Sequence, residues 1–185
     1  PAAIFEWDVT NETMLYTSVS TGAKAGGFDA RGNAAANMEY GDETVLAYEL
    51  GAKSTLLDER LELNVAAFYS EYDDLQVSQF DGTLGFVVGN AAQATTQGVE
   101  LDGRWLLAEG LTWSFAAAYL DFEFDDYDGA ACSAKITLET GAKLCDYSGE
   151  RNIYTPEWNA STSVDFITGL TANIDFHATV DVMYT

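Results

Sequence analysis

Apolar and polar residues alternate over runs of ten or more positions, short turns alternate with long loops, and no apolar run is long enough for a membrane helix. Together these observations predict an all-β chain. The expected architecture is an antiparallel up-and-down transmembrane β-barrel, of which these 185 residues supply a part of roughly eight strands with no plug domain.

The strands are expected at 2–9, 14–24, 44–56, 61–79, 86–106, 111–124, 156–167 and 170–184. In the third, Tyr48, Leu50 and Ala52 face one side against Glu49, Gly51 and Lys53, and the charged pair faces a wet lumen. In the fourth, Leu61, Leu63, Val65, Ala67 and Tyr69 oppose Glu62, Asn64, Ala66 and Ser70. The fifth contains Gly98, a position for close backbone approach or a bulge, with Glu100, Asp102 and Arg104 on one face. In the sixth, Leu111, Trp113, Phe115, Ala117 and Tyr119 oppose Thr112, Ser114, Ala116 and Ala118. In the last, Leu170, Ala172, Ile174, Phe176, Ala178, Val180, Val182 and Tyr184 form a greasy face. Such runs exceed the ~5 to 6 residues of a globular strand and reach the ~9 to 11 that cross a bilayer at a tilt. Rings near strand ends, such as Trp113 and Tyr119, suit interfacial girdles, although Trp and Tyr also pack in soluble β cores.

Tight connections are expected at Thr10–Thr13, Leu57–Arg60, Ala108–Gly110 and Thr168–Gly169, and long ones at about 25–43 and 125–155, with a short tip near 80–85. Short turns at one end and longer loops at the other place the long loops outside the cell.

Composition narrows the function. With 30 acidic and 8 basic residues the formal net charge is -22, and no cluster of Lys and Arg is present, so nucleic acid is an unsuitable partner. The acidity leaves cations and basic partners open, and it serves equally as a solubilising surface. Hydrophobic residues at 48% with only 2 prolines exclude a disordered chain. The two cysteines, Cys132 and Cys145, lack the spacing and the histidines of a zinc site. A disulfide closing a short loop, worth about 3 kcal/mol, is expected and points to an oxidising compartment; two free thiols leave the same sequence.

The acidic run Asp121, Glu123, Asp125, Asp126 and Asp128 lacks the glycine and terminal glutamate of a calcium loop, and reads as a solvated loop mouth. His177 is expected as a lumen-facing, hydrogen-bonded side chain. No nucleophile–base arrangement or phosphate loop is present, so neither enzymatic activity nor a cofactor or metal is expected.

Several strings identify a family. The run TMLYTSVSTGAKAGGF, Thr13 to Phe28, resembles the barrel segment of TonB-dependent receptors that reads "LYAS" then "GYKAGGF". ETVLAYELGAKSTLLDERLELNVAAFYSEYDDLQVS, Glu43 to Ser78, is similar to "YELGLKS…LDGRL.LN.A.FY..Y.DLQV". VVGNAAQATTQGVELDGRW, Val87 to Trp105, and AEGLTWSFAAAYLDFEF, Ala108 to Phe124, resemble the "NA..A…GVE" and "GL…..YLDA" strands. Glu59 stands where the family often has Gly, within a reversal expected to be a type I turn.

The resemblance is to the iron-complex receptor type. It implies a Gram-negative outer-membrane importer in which a small-molecule metal chelate, most often a ferric siderophore, binds the outer loops and a plug. The TonB–ExbB–ExbD system would energise uptake through that plug. Members have a signal, a TonB box, a plug and about 22 strands, so residues 1–185, without box or plug and ending within an alternating run, are expected to be an internal or late portion of a barrel. Candidate ligand contacts are the loop residues Phe28, Arg31, Tyr40, Phe80, Tyr127 and Tyr147, because aromatics and Arg dominate recognition surfaces. The alternatives are a passive porin or a surface adhesion and assembly barrel without TonB coupling, and a soluble acidic β-sandwich.

Overall fold

The computed structural model describes residues 1–31, 39–80, 86–152 and 155–185, with the side chains of all but Phe80, Phe86 and Ala91. Eight long strands form one antiparallel sheet: β1 (Ala2–Asp8), β2 (Thr13–Lys24), β5 (Glu43–Leu56), β6 (Leu61–Phe80), β7 (Phe86–Ala108), β8 (Leu111–Asp126), β11 (Trp158–Thr171) and β12 (Ile174–Tyr184). Their spatial order is their sequence order, so every connection is a hairpin. Two small ladders sit in the connections, β3 (Gly27–Phe28) with β4 (Glu39–Tyr40), and β9 (Ala130–Ala131) with β10 (Leu144–Cys145).

The register shows why the alternation in each strand gives one coherent surface. Trp7, Leu15, Ala52, Val65, Leu101, Ala117, Ala160 and Tyr184 are successive partners across the whole sheet, and all are apolar. One residue along, the row reads Glu6, Tyr16, Gly51, Ala66, Glu100, Ala118 and Asn159. Because partners in an antiparallel pair lie on the same side of the sheet, one face is greasy and the other is polar or small. A shift of one residue in any strand would interrupt both rows.

Aromatic side chains bound the apolar band. At the short-turn rim Trp105 and Trp113 have ring centroids 6.3 Å apart, and the Trp113 indole N–H donates to Thr162 Oγ1 at 2.7 Å. At the long-loop rim Tyr48 lies 6.5 Å from Tyr69, and Tyr119 lies 4.9 Å from Trp158. On β6 the band runs from Leu61 to Tyr69, about 27 Å along the strand and about 20 Å in height at a barrel tilt.

Two turn assignments change. The last hairpin turns at Ala172–Asn173, not at Thr168–Gly169. Gly169 instead lies at a register shift beside Thr171, where the ladder is irregular; a glycine in a strand can mark a bulge as readily as a turn. Leu57–Arg60 is not a type I turn, since Leu57, Asp58 and Glu59 have φ of 58°, 55° and 64°. The Arg60 guanidinium holds this left-handed reversal by donating to Leu106 O at 2.7 and 3.1 Å and to Leu107 O at 2.7 Å. Asp73 and Asp74 lie within β6, at an irregularity between Tyr72 and Leu75, with Asp74 at φ 55°. β6 and β7 run on for 20 and 23 residues and overshoot their neighbours; the expected tip at 81–85 lies outside the described residues.

The long connection at 125–155 is folded rather than open. Helix α1 (Ala134–Thr140) is capped by Ser133, whose hydroxyl accepts the Ile136 N–H, and ends at Gly141 with φ 77°. The Cys132–Cys145 disulfide closes the loop around the helix.

Candidate functional site

Along β8 the alternation changes phase at the long-loop rim. Below it Phe115, Ala117 and Tyr119 lie on the apolar face; above it Asp121, Glu123 and Asp125 continue that face, and Leu120, Phe122 and Phe124 turn to the polar face. The cause is the change of medium. Within the band the apolar side meets hydrocarbon, whereas beyond it the outer side meets water and the inner side meets folded loops.

The inward rings form a chain. Phe122 and Phe124 have centroids 5.0 Å apart, Phe124 and Tyr127 4.8 Å, and Tyr127 and Tyr147 6.1 Å. Burial, reinforced by Tyr147, pushes the Tyr127 phenol up from its ordinary pKa. The Tyr147 hydroxyl accepts the Ser133 N–H at 3.1 Å and donates to Ala131 O at 3.4 Å, so it also organises its own loop. β9 packs against β6 with Ala130 fully buried, which sets this loop over the sheet. At the root of the loop Arg151 pairs with Asp121 at 3.4 Å and with Glu157, and donates to Leu120 O.

A second group comes from the connection between β2 and β5. Phe28 is 74% exposed, and the Tyr40 ring covers Gly27, where a Cβ would meet the phenol oxygen at 2.9 Å. Arg31 grips the buried carboxylate of Asp29 with Nε at 2.9 Å and Nη2 at 2.7 Å. The Arg31 side chain, followed by the N–H groups of Arg31 and Val88, holds the Asp29 carboxyl well below the usual carboxylate range. The structure therefore brings Tyr127 and Tyr147 together and places Phe28, Arg31 and Tyr40 on one connection, Phe28 opposite Glu39 and Tyr40 opposite Gly27, while the Phe80 side chain lies outside the described residues.

Below this mouth the polar face carries an open groove of about 390 Å³ whose lining includes Ser18, Glu49, Phe68, Ser70, Thr96 and Glu100. Gly51 lets the Tyr16 ring lie flat on the wall, since a Cβ there would meet the ring at 2.5 Å. The Tyr16 hydroxyl donates to Glu49, and Lys53 sits 5.4 Å from the ring centroid. Asn64 donates to Asp102 at 2.9 Å. His177 lies on this face opposite Ile167, but its expected hydrogen-bond partner is not found among the described residues.

The inward phenylalanines, Asp29 and the amides Gln76 and Asn90 were not singled out from sequence. The DFEFD string around Phe122 and Phe124 does carry the phase change; the packing roles of Gln76 and Asn90 leave no sequence signal.

A transmembrane arc of β-barrel wall, greasy outside, wet inside and roofed by aromatic loops at one rim, defines the class of protein. The family profile described as TonB dependent receptor-like, beta-barrel, matches residues 1–185, and the chain belongs to that family. It is an outer-membrane protein of the Gram-negative type. The pesticin receptor of Yersinia enterocolitica is 26% identical over 159 residues, covering 85% of this chain and 21% of the relative. The ferric yersiniabactin uptake receptor FyuA of Yersinia pestis superposes with a TM-score of 0.74 at 23% identity, over 98% of this chain and 25% of that one, a likeness of fold. The siderophore receptor PiuA of Acinetobacter baumannii gives 0.67 at 25% identity, over 89% of this chain and 23% of that one. The chain thus spans about a fifth to a quarter of the length of these relatives.

Proposed function

We propose that this chain forms part of the wall and outer mouth of an active-transport receptor that takes up a ferric siderophore or another iron complex with energy delivered through TonB. In this reading the long-loop rim faces the exterior and the short-turn rim the periplasm. Phe28, Arg31, Tyr40, Phe80, Tyr127 and Tyr147 contact the ligand, a plug occupies the lumen, and no chemical step is catalysed. The observation that carries it is the aromatic mouth set above a polar lumen wall in a chain of this receptor family. Rings and a guanidinium held by Asp29 suit a polar chelate bearing aromatic or acidic groups, which gains from stacking and oriented hydrogen bonds at little entropic cost.

The test is uptake of radioactive ferric complexes by iron-starved cells carrying the full-length receptor. Saturable uptake that disappears in a strain without TonB is expected. Uptake that is non-saturable and indifferent to TonB overturns the reading in favour of a passive pore.

A further inference from the structure

The β6–β7 ribbon stands above its sheet neighbours: β5 begins at Glu43, beside Asp73, and β8 ends at Asp126, beside Gln93. A lone two-stranded ribbon is marginal by itself, so what holds it and what it holds are one question. The irregularity at Tyr72–Gln76 re-aims the side chains beyond it, and it leaves Gln76 and Asn90 as direct partners in register.

These two amides meet the stems of the loop between β2 and β5 where the β2–β5 ladder stops at Lys24 and Glu43. Asn90 Oδ1 accepts the Gly41 N–H at 2.6 Å, and its Nδ2 donates to Gly41 O at 3.1 Å, Asp42 O at 3.4 Å and Asp74 O at 2.7 Å. Gln76 Nε2 donates to Lys24 O at 3.3 Å and to Ala25 O and Gly41 O at 3.1 Å, while its own N–H goes to Glu43. A third pin is the Val88 N–H, given to the buried carboxylate of Asp29 at 2.9 Å. Backbone groups of Lys24, Ala25, Gly41 and Asp42 and the Asp29 carboxylate are thus bonded by the ribbon.

We propose that Asn90 and Gln76 are positioning residues that dock stems 24–29 and 39–43 onto the β6–β7 ribbon, so that loop and ribbon present Phe28, Arg31 and Tyr40 as one rigid arm. What the arm does for a ligand rests on the receptor reading above; the docking does not. One accepted bond and two N–H groups shared among three carbonyls make Asn90 the centre of the arrangement, because its loss leaves the Gly41 N–H and those carbonyls to find new partners at once.

Amide hydrogen exchange on the full-length receptor in detergent micelles tests this. In Asn90→Ala, exchange within 24–29 and 39–43 is expected to rise about tenfold or more, with 13–23 and 44–56 unchanged. Gln76→Ala opens the same two stems and serves if the first variant folds poorly. Asn90→Asp, which keeps the acceptor for Gly41, falls between wild type and Asn90→Ala. Unchanged stems in both alanine variants, or a rise spread through the barrel strands, overturns the proposal. Uptake that proves independent of TonB overturns the receptor reading and leaves the docking standing.

Discussion

The rings of Tyr119 and Trp158 lie 4.9 Å apart on neighbouring strands, on the row directly below the one at which the outer face of the sheet turns from apolar to acidic. Amphipathic rings belong at such a boundary, with their bodies in hydrocarbon and their polar edges in water. The pair therefore fixes where the membrane ends on β8 and β11, and with it which residues meet lipid.

Leu50 and Ser18 lie on opposite faces of adjacent strands. Leu50→Lys places a charge on the lipid face one residue pair below the Tyr48–Tyr69 rim and is expected to cost about 1 to 2 kcal/mol, between the midplane and interfacial values. Ser18→Lys puts the same charge in the wet lumen beside Glu49 and is expected to be nearly neutral. Urea unfolding in lipid vesicles measures both, and equal costs would refute the assignment of the faces.

Gly98 is enclosed by the carbonyl of Tyr119, 2.2 Å from where a Cβ would sit, and by the Phe68 ring at 2.7 Å. Backbone cannot yield as a flexible side chain does, so Gly98→Val is expected to destabilise the wall by about 1 to 3 kcal/mol. The measurement is the temperature at which the folded band is lost in heat-modifiability electrophoresis.

Glu59 has φ 64° in the left-handed reversal at the short-turn rim. An L residue there costs about 1 to 2 kcal/mol and a glycine avoids it, although glycine forfeits about 0.5 to 1 kcal/mol in chain entropy. Glu59→Gly is therefore expected to stabilise the protein by about 0.5 to 1 kcal/mol, seen as a higher urea midpoint; a lower midpoint contradicts it.

The Asp29 carboxyl is held below its ordinary value first by the Arg31 side chain. A carboxylate shifted down contributes stability that is whole above the unfolded pKa of about 3.9 and fades as pH falls through the lower native value. Exchange at the Val88 amide, corrected for intrinsic rates, is expected to stay slow from pH 7 to about pH 4 and to accelerate only below that. In Asp29→Asn the amide is expected to exchange faster at every pH and without that dependence.

Reducing Cys132–Cys145, whose partners are 13 positions apart, removes a constraint of about 3 kcal/mol on the loop that carries α1, Tyr127 and Tyr147. Limited proteolysis is expected to cut within 132–145 after reduction while the barrel strands remain resistant. Simultaneous loss of barrel folding would show that the loop supports the wall.

The wall was legible from residue order because a strand in lipid leaves no freedom: side chains alternate strictly, and every backbone group must pair with the next strand. Leu61 to Tyr69 and Leu111 to Tyr119 therefore declared their faces, their length and their place in an up-and-down sheet. The turns were less legible, because Gly169 suits a bulge as well as a reversal, and because Leu57 to Glu59 hold left-handed angles through the grip of Arg60 on a different strand. The mouth was least so. Which aromatics meet, that Asp29 is buried, and that Asn90 holds a loop 49 residues before it are decided by contacts between segments far apart in the chain. Lipid imposes a repeating rule that each residue obeys locally, whereas loops in water obey only the particular partners that folding brings to them.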